Sequence, residues 1–123
     1  MIHPKIKKKV VVVDDDPNII RLLEVQLGIW GYTVMSCPNS LDCLDMVTEN
    51  KPDLILLDIM MPGLDGLCLC SELTTSFDIP VIMVSALQDS KTKRDLKFLG
   101  AYDYITKPID MDELKTKLQK AVS

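Results

Sequence analysis

The sequence has no apolar run approaching the roughly 20 residues of a membrane-spanning helix; its run of valines, Val10–Val13, is far too short. The N-terminus shows no apolar signal-peptide core, so the expected location is the cytoplasm. The paired C-x-x-C spacing of a zinc site is also missing. Of Cys37, Cys43, Cys68 and Cys70 only the last two come close, and on a helix they point about 200° apart. In a reducing compartment the expectation is free, mostly buried thiols. The single histidine, His3, falls in the terminal segment and carries no functional claim. There is no internal repeat, low-complexity stretch or linker. An excess of positive charge is absent too: the net charge of -4 argues against general affinity for nucleic acid. Lys5, Lys7, Lys8 and Lys9 read as part of a solvated basic N-terminus. With 123 residues, 47% of them hydrophobic and 26% charged, the chain reads as one soluble domain, 1–123, with residues 1–8 as a basic arm.

What is present is concentrated negative charge in an unexpected place. Asp14, Asp15 and Asp16 follow directly on Val10–Val13 and precede Pro17. Four consecutive valines read as a strand buried on both faces, where carboxylates could not follow without partners. Pro17 suits the first turn of a helix, with Asp16 as its N-cap. A cap needs only one carboxylate, which leaves Asp14 and Asp15 unexplained as capping groups. Clustered carboxylates repel one another and call for a cation, and a nest of bare carboxylates suits a hard ion such as Mg²⁺.

Strand-like and helix-like segments alternate along the rest of the chain. Pro17 to about Leu27 carries Ile19, Ile20, Leu23, Leu27 and Trp30 at helical spacing, and Gly28 and Gly31 punctuate its end. Tyr32–Ser36 reads as a second strand. A helix with Leu41, Leu44 and Val47 on one face follows and is closed by Pro52. Leu54–Leu57 is a third strand ending at Asp58. The loop 60–66 leads to a helix over Leu67–Thr75, for which Asp65 is the expected N-cap. Val81–Val84 ends at Ser85; a charged helix over Ser90–Leu99 stops at Gly100; Tyr102–Thr106 delivers Lys107 and Pro108. Asp110 and Glu113 suggest a capping box for a last helix with Leu114, Leu118 and Val122 inward. Five such units imply an α/β fold, a five-stranded parallel sheet with five helices on both faces.

In that fold Asp14 and Asp15, then Asp58, Ser85 and Lys107 all stand at the carboxyl ends of strands, which a doubly wound sheet gathers on one rim. A carboxylate nest, a hydroxyl and a cation form the inventory for phosphoryl transfer to a carboxylate.

The four segments Val-Val-Asp14-Asp15-Asp16-Pro17, Leu57-Asp58-Ile-Met-Met-Pro62-Gly63-Leu64-Asp65-Gly66, Val84-Ser85-Ala86 and Tyr104-Ile-Thr-Lys107-Pro108 together resemble the receiver domain of two-component response regulators. The resemblance covers essentially the whole chain. It implies a flavodoxin-like sheet in the order 2-1-3-4-5. It also implies that Asp58 is the phosphoacceptor and that Mg²⁺ is held by Asp14, Asp15, Asp58 and the backbone carbonyl of Met60. Ser85 would bond a phosphoryl oxygen, Lys107 would pair with the phosphate through a segment with a cis Lys107–Pro108 bond, and Tyr104 would act as the aromatic switch. The implied donor is a histidine kinase or phosphotransfer protein. The implied output is a changed surface of the fourth helix, fifth strand and fifth helix, read by a downstream protein or effector domain. Neither direct nucleic-acid binding nor membrane association is expected.

Two departures from the family pattern bear on regulation. Tyr102 stands where many transcription-factor receivers have an acid, and Lys117 where many have arginine. Lysine cannot copy a bidentate arginine pair, so these positions argue against the dimer mode that pattern supports, although phosphorylation-dependent dimerisation is a family property. Met60 and Leu87 stand two residues past Asp58 and Ser85, where polar side chains can position a hydrolytic water. Two apolar side chains predict a long-lived phosphoryl group.

Three rival readings fare worse. An aspartyl phosphohydrolase, an enzyme, needs a second acid where Met60 stands. A silent interaction module would have lost an acid, the hydroxyl or the lysine. A flavin module would not put Asp14–Asp16 against a phosphate.

Overall fold

The computed structural model describes residues 7–58, 66–86, 90–98 and 100–123. Strands β1 (Lys9–Val13), β2 (Thr33–Cys37), β3 (Leu54–Leu57), β4 (Val81–Ser85) and β5 (Asp103–Thr106) alternate with helices α1 (Pro17–Ile29), α2 (Cys43–Asn50), α3 (Gly66–Ser76), α4 (Ser90–Phe98) and α5 (Met111–Val122). The strands form one parallel sheet in the order β2-β1-β3-β4-β5. This is the topology expected from the resemblance. None of the described helices is long and apolar enough to cross a membrane.

The two-sided burial of the central strands follows from their composition. Side chains alternate between faces along a strand, so an unbroken apolar run fills both. Val11, Val13, Ile55, Leu57, Val81 and Met83 pack with Cys43, Val47, Leu69 and Leu73 of α2 and α3. Val10, Val12, Leu54, Leu56, Ile82 and Val84 pack with Ile20, Leu23 and Leu27 of α1 and Leu114 and Leu118 of α5. Lys9 belongs to β1 and is anchored there, its amide donating to Asp53 Oδ2 at 2.8 Å, so it is not part of the arm.

Local signals set most of the helix ends. Asp16 caps α1 by accepting from the Asn18 amide at 2.9 Å, with Pro17 behind it. Helix α1 runs two residues past Leu27, so Gly28 lies inside it, and the turn is made by Gly31 at φ +94°. Asp110 Oδ1 accepts from the amides of Asp112 and Glu113, at 2.9 and 3.1 Å. The Glu113 carboxylate is turned toward Lys117 at 4.0 Å, so the second half of a capping box is replaced by an i,i+4 pair.

Periodicity places Leu41 on the inward face, and the structure turns it outward. Leu41 is 81% exposed, because residues Ser40–Asp42 form a 3₁₀ turn and α2 starts only at Cys43. Three residues per turn swing Leu41 off the face that Cys43 and Val47 bury. The Asp65 cap, the Met60 carbonyl and Leu87 lie outside the described residues, as do Met61 to Leu64, Leu99 and residues 1–6.

Candidate functional site

The backbone ladder carries the charged residues to the rim. The Asp14 amide donates to the Cys37 carbonyl at 3.3 Å, the Asp58 amide to Val13 at 3.0 Å, and the Lys107 amide to Ser85 at 2.8 Å. Each bond extends the parallel pairing by one residue beyond its strand. The first residue after β1 and the first after β3 are therefore held almost as rigidly as the core.

That placement buries charge. Asp14 and Asp58 are 2% and 5% exposed, and Ser85 is wholly buried. A buried carboxylate needs a partner, and Lys107 serves two: its Nζ lies 2.9 Å from Asp14 Oδ2 and 3.1 Å from Asp58 Oδ2. The other Asp14 oxygen, Oδ1, accepts from the Asp16 amide at 2.9 Å. Burial alone would pull the Lys107 ammonium down, but the Asp14 and Asp58 carboxylates outweigh it and hold lysine above its ordinary value. The Lys107–Pro108 peptide is cis.

Asp15 stands at the exposed mouth of the cluster. One carboxylate oxygen from each of Asp14, Asp15 and Asp58 lies within 4.8 Å of the others. Among the described residues these three carboxylates gather around Lys107, and the donor set they offer is all oxygen and negatively charged. That chemistry fits a hard divalent cation such as Mg²⁺ better than any soft metal.

Tyr104 of β5 borders the site from the other side. Burial pushes its phenol above the ordinary value; a hydrogen bond with the Ser85 side chain opposes this, and the nearby Asp58 charge adds to it. Lys93 of α4 lies over the ring, its Nζ 5.1 Å from the centroid. Lys117 of α5 donates to the Tyr104 carbonyl at 2.8 Å and pairs with Asp103 Oδ1 at 3.2 Å. Together Lys93, Arg94, Lys97, Asp103, Tyr104 and Lys117 line a cleft of about 340 Å³.

Asp14, Asp15, Asp58, Ser85, Tyr104 and Lys107 are thus brought to one rim. Sequence reasoning missed Lys93 over Tyr104 and the double role of Lys117 inside its own chain. No spacing rule marks either, because both contacts join residues of different elements.

The description of the response regulator receiver domain matches residues 10–119. The chain belongs to that family. Receiver domains are regulatory domains whose signalling depends on phosphorylation. The receiver is 40% identical over 116 residues to "Probable transcriptional regulator ycf27" of Porphyridium aerugineum, covering 94% of this chain and 48% of the relative. It is 39% identical over 113 residues to the transcriptional regulatory protein KdpE of Staphylococcus aureus, covering 92% and 49%. The chain therefore spans about half the length of the curated relatives it matches. Among solved structures it resembles the BeF3-activated N-terminal receiver domain of Klebsiella pneumoniae RstA, with a TM-score of 0.89, 32% identity, and coverage of 94% of this chain and 98% of that one.

Proposed function

We propose that this receiver takes a phosphoryl group onto Asp58 from the phosphohistidine of a histidine kinase or phosphotransfer protein. An Asp58 carboxylate oxygen attacks phosphorus, the P–N bond breaks, and the imidazole leaves with the bonding electrons. The observation that carries this reading is the Lys107 bridge, which ties Asp58 to Asp14 with Asp15 alongside at the rim. Asp14, Asp15 and Asp58, with the Met60 carbonyl that the family pattern adds, would hold Mg²⁺. Bound there, Mg²⁺ would neutralise charge gathering on the transferred group. Lys107 supplies a second positive charge from the protein itself, and the low exposure of Asp14 and Asp58 strengthens its pull.

The same neighbours supply a route to output. The Ser85 hydroxyl is bonded to Tyr104. A phosphoryl oxygen on Asp58 competes for that hydroxyl and releases Tyr104 to repack. Lys93 and Lys117 touch the Tyr104 ring and carbonyl, so repacking alters the α4–β5–α5 surface. The result is a shift between two conformers, read by a downstream protein or effector domain in the cytoplasm. The chain acts as a phosphoacceptor switch whose only chemistry is its own phosphorylation and slow loss of the group.

The test is intact-mass analysis after incubation with acetyl phosphate and Mg²⁺, for the wild type and Asp58→Ala, with an EDTA control. A single metal-dependent phosphoryl adduct that the variant lacks is the expected result. Absence of an adduct from both acetyl phosphate and a phosphorylated phosphotransfer protein, with no NMR response to beryllofluoride, would overturn the reading.

A further inference from the structure

The cleft beside Tyr104 gathers cations that phosphoryl transfer to Asp58 does not use. Helix α4 gives Lys93, Arg94 and Lys97 to its lining, α5 gives Lys117, and among the described lining residues Asp103 is the one acid. Four cations against one acid leave three uncompensated positive charges around about 340 Å³, in a chain whose net charge is -4. Two of the four are held in place. The Lys93 ammonium lies over the Tyr104 ring, and Lys117 is fixed by Asp103 Oδ1 and the Tyr104 carbonyl. Asp103 is itself fully engaged, because its Oδ1 also accepts from the Tyr104 amide at 2.8 Å. The other two cations are exposed, and among the described residues neither Arg94 nor Lys97 has an ion-pair partner. The helix dipole accounts only for Lys97, in the last turn of α4. A merely solvated basic face would keep its like charges apart, whereas α4 and α5 turn theirs into one cleft.

We propose that this cleft binds a small oligophosphate, inorganic or at the end of a nucleotide, with Arg94 and Lys97 capturing it and Lys93 and Lys117 completing the cradle. A di- or triphosphate concentrates several negative charges within a few ångströms, which is what three uncompensated cations in so small a space match. An acidic protein segment spreads single carboxylates along its backbone, about 5–6 Å apart on a helix face, and matches that density less well. The planar fork of Arg94 suits two phosphoryl oxygens at once, while the lysines act as point charges. Occupancy reaches Tyr104 through Lys93, because an anion in the cleft competes with the ring for the same ammonium. That last consequence rests on Tyr104 acting as the switch; the binding does not.

The test is an NMR titration of the isotope-labelled wild-type chain in EDTA, with inorganic pyrophosphate, ADP and a hexaglutamate peptide as separate probes. EDTA keeps Mg²⁺ from both the acidic rim and the phosphates, so the result is independent of phosphoryl transfer to Asp58. Pyrophosphate and ADP should shift the amides of Lys93, Arg94, Lys97 and Asp103 to saturation, and hexaglutamate should bind more weakly than either. Tighter binding of ADP assigns the site to a nucleotide, and tighter binding of pyrophosphate to an inorganic anion. Arg94→Gln and Lys97→Gln should each weaken binding about tenfold, the loss expected with one charge-assisted hydrogen bond. Both side chains are exposed, so neither change threatens the fold. Lys8→Gln, which removes an exposed charge outside the cleft, should leave the affinity unchanged. No saturable shift with either phosphate, affinities indifferent to Arg94→Gln and Lys97→Gln, shifts centred on Lys107 or Lys8, or tighter binding of hexaglutamate would each overturn the proposal.

Discussion

Replacing Lys107 by alanine tests whether the acidic rim is held together as described. In the wild type its ammonium lies 2.9 Å from Asp14 and 3.1 Å from Asp58, both nearly inaccessible to water. Removing one partner of a buried pair costs about 3–5 kcal/mol, because the remaining charge is left uncompensated. For a domain of this size about 1 kcal/mol corresponds to about 4 °C in Tm, so a fall of about 12–20 °C is expected in EDTA at pH 7. Saturating Mg²⁺ should restore most of it, about 2.7 kcal/mol at a hundred times Kd. Lys107 is held above its ordinary 10.5, so its pairing is fully present below that value and is lost only as pH rises through the raised one. Lys115→Ala, which removes a charge over the Trp30 ring 5.9 Å away, should change Tm far less. A drop under about 4 °C for Lys107→Ala in EDTA would refute the view that this lysine holds the cluster.

Two glycines should respond in opposite directions to alanine. Gly100 has φ +99°, and an added Cβ would lie 2.7 Å from Thr74 Oγ1, so Gly100→Ala should cost about 2–4 kcal/mol in urea unfolding. Gly28 sits inside α1 with nothing near its missing Cβ, so Gly28→Ala should stabilise by about 0.5–1 kcal/mol in the same assay. Met60→Asn with Leu87→Glu should speed loss of phosphate from the phosphorylated protein by giving a water its hydrogen bonds; an unchanged decay rate, followed by intact mass, would remove the argument from apolar obstruction.

The strands were the most legible part of the chain. Val10–Val13 and Leu54–Leu57 are unbroken apolar runs, and a strand buried on both faces needs such a run. Asp16 and Asp110 marked their helix starts because capping is a bond within a few residues. Leu41 is not legible from spacing, because a 3₁₀ turn and an α-helix share apolar spacing over so short a stretch, and only the packing of Cys43 chooses between them.

The sequence by itself determined which chemistry is present: acids at two strand ends, a hydroxyl at the third and a lysine at the fourth, each fixed by where an apolar run stops. It could not determine which of those groups touch. Whether Lys107 meets Asp14, Asp58 or both depends on sheet order and twist, which join residues 93 and 49 positions apart. Likewise, Lys117 turns inward to the Tyr104 carbonyl, and Lys93 lies over the Tyr104 ring. Tertiary structure decides those contacts because each is a choice between solvent and a partner from another element, made once the sheet has brought both within reach.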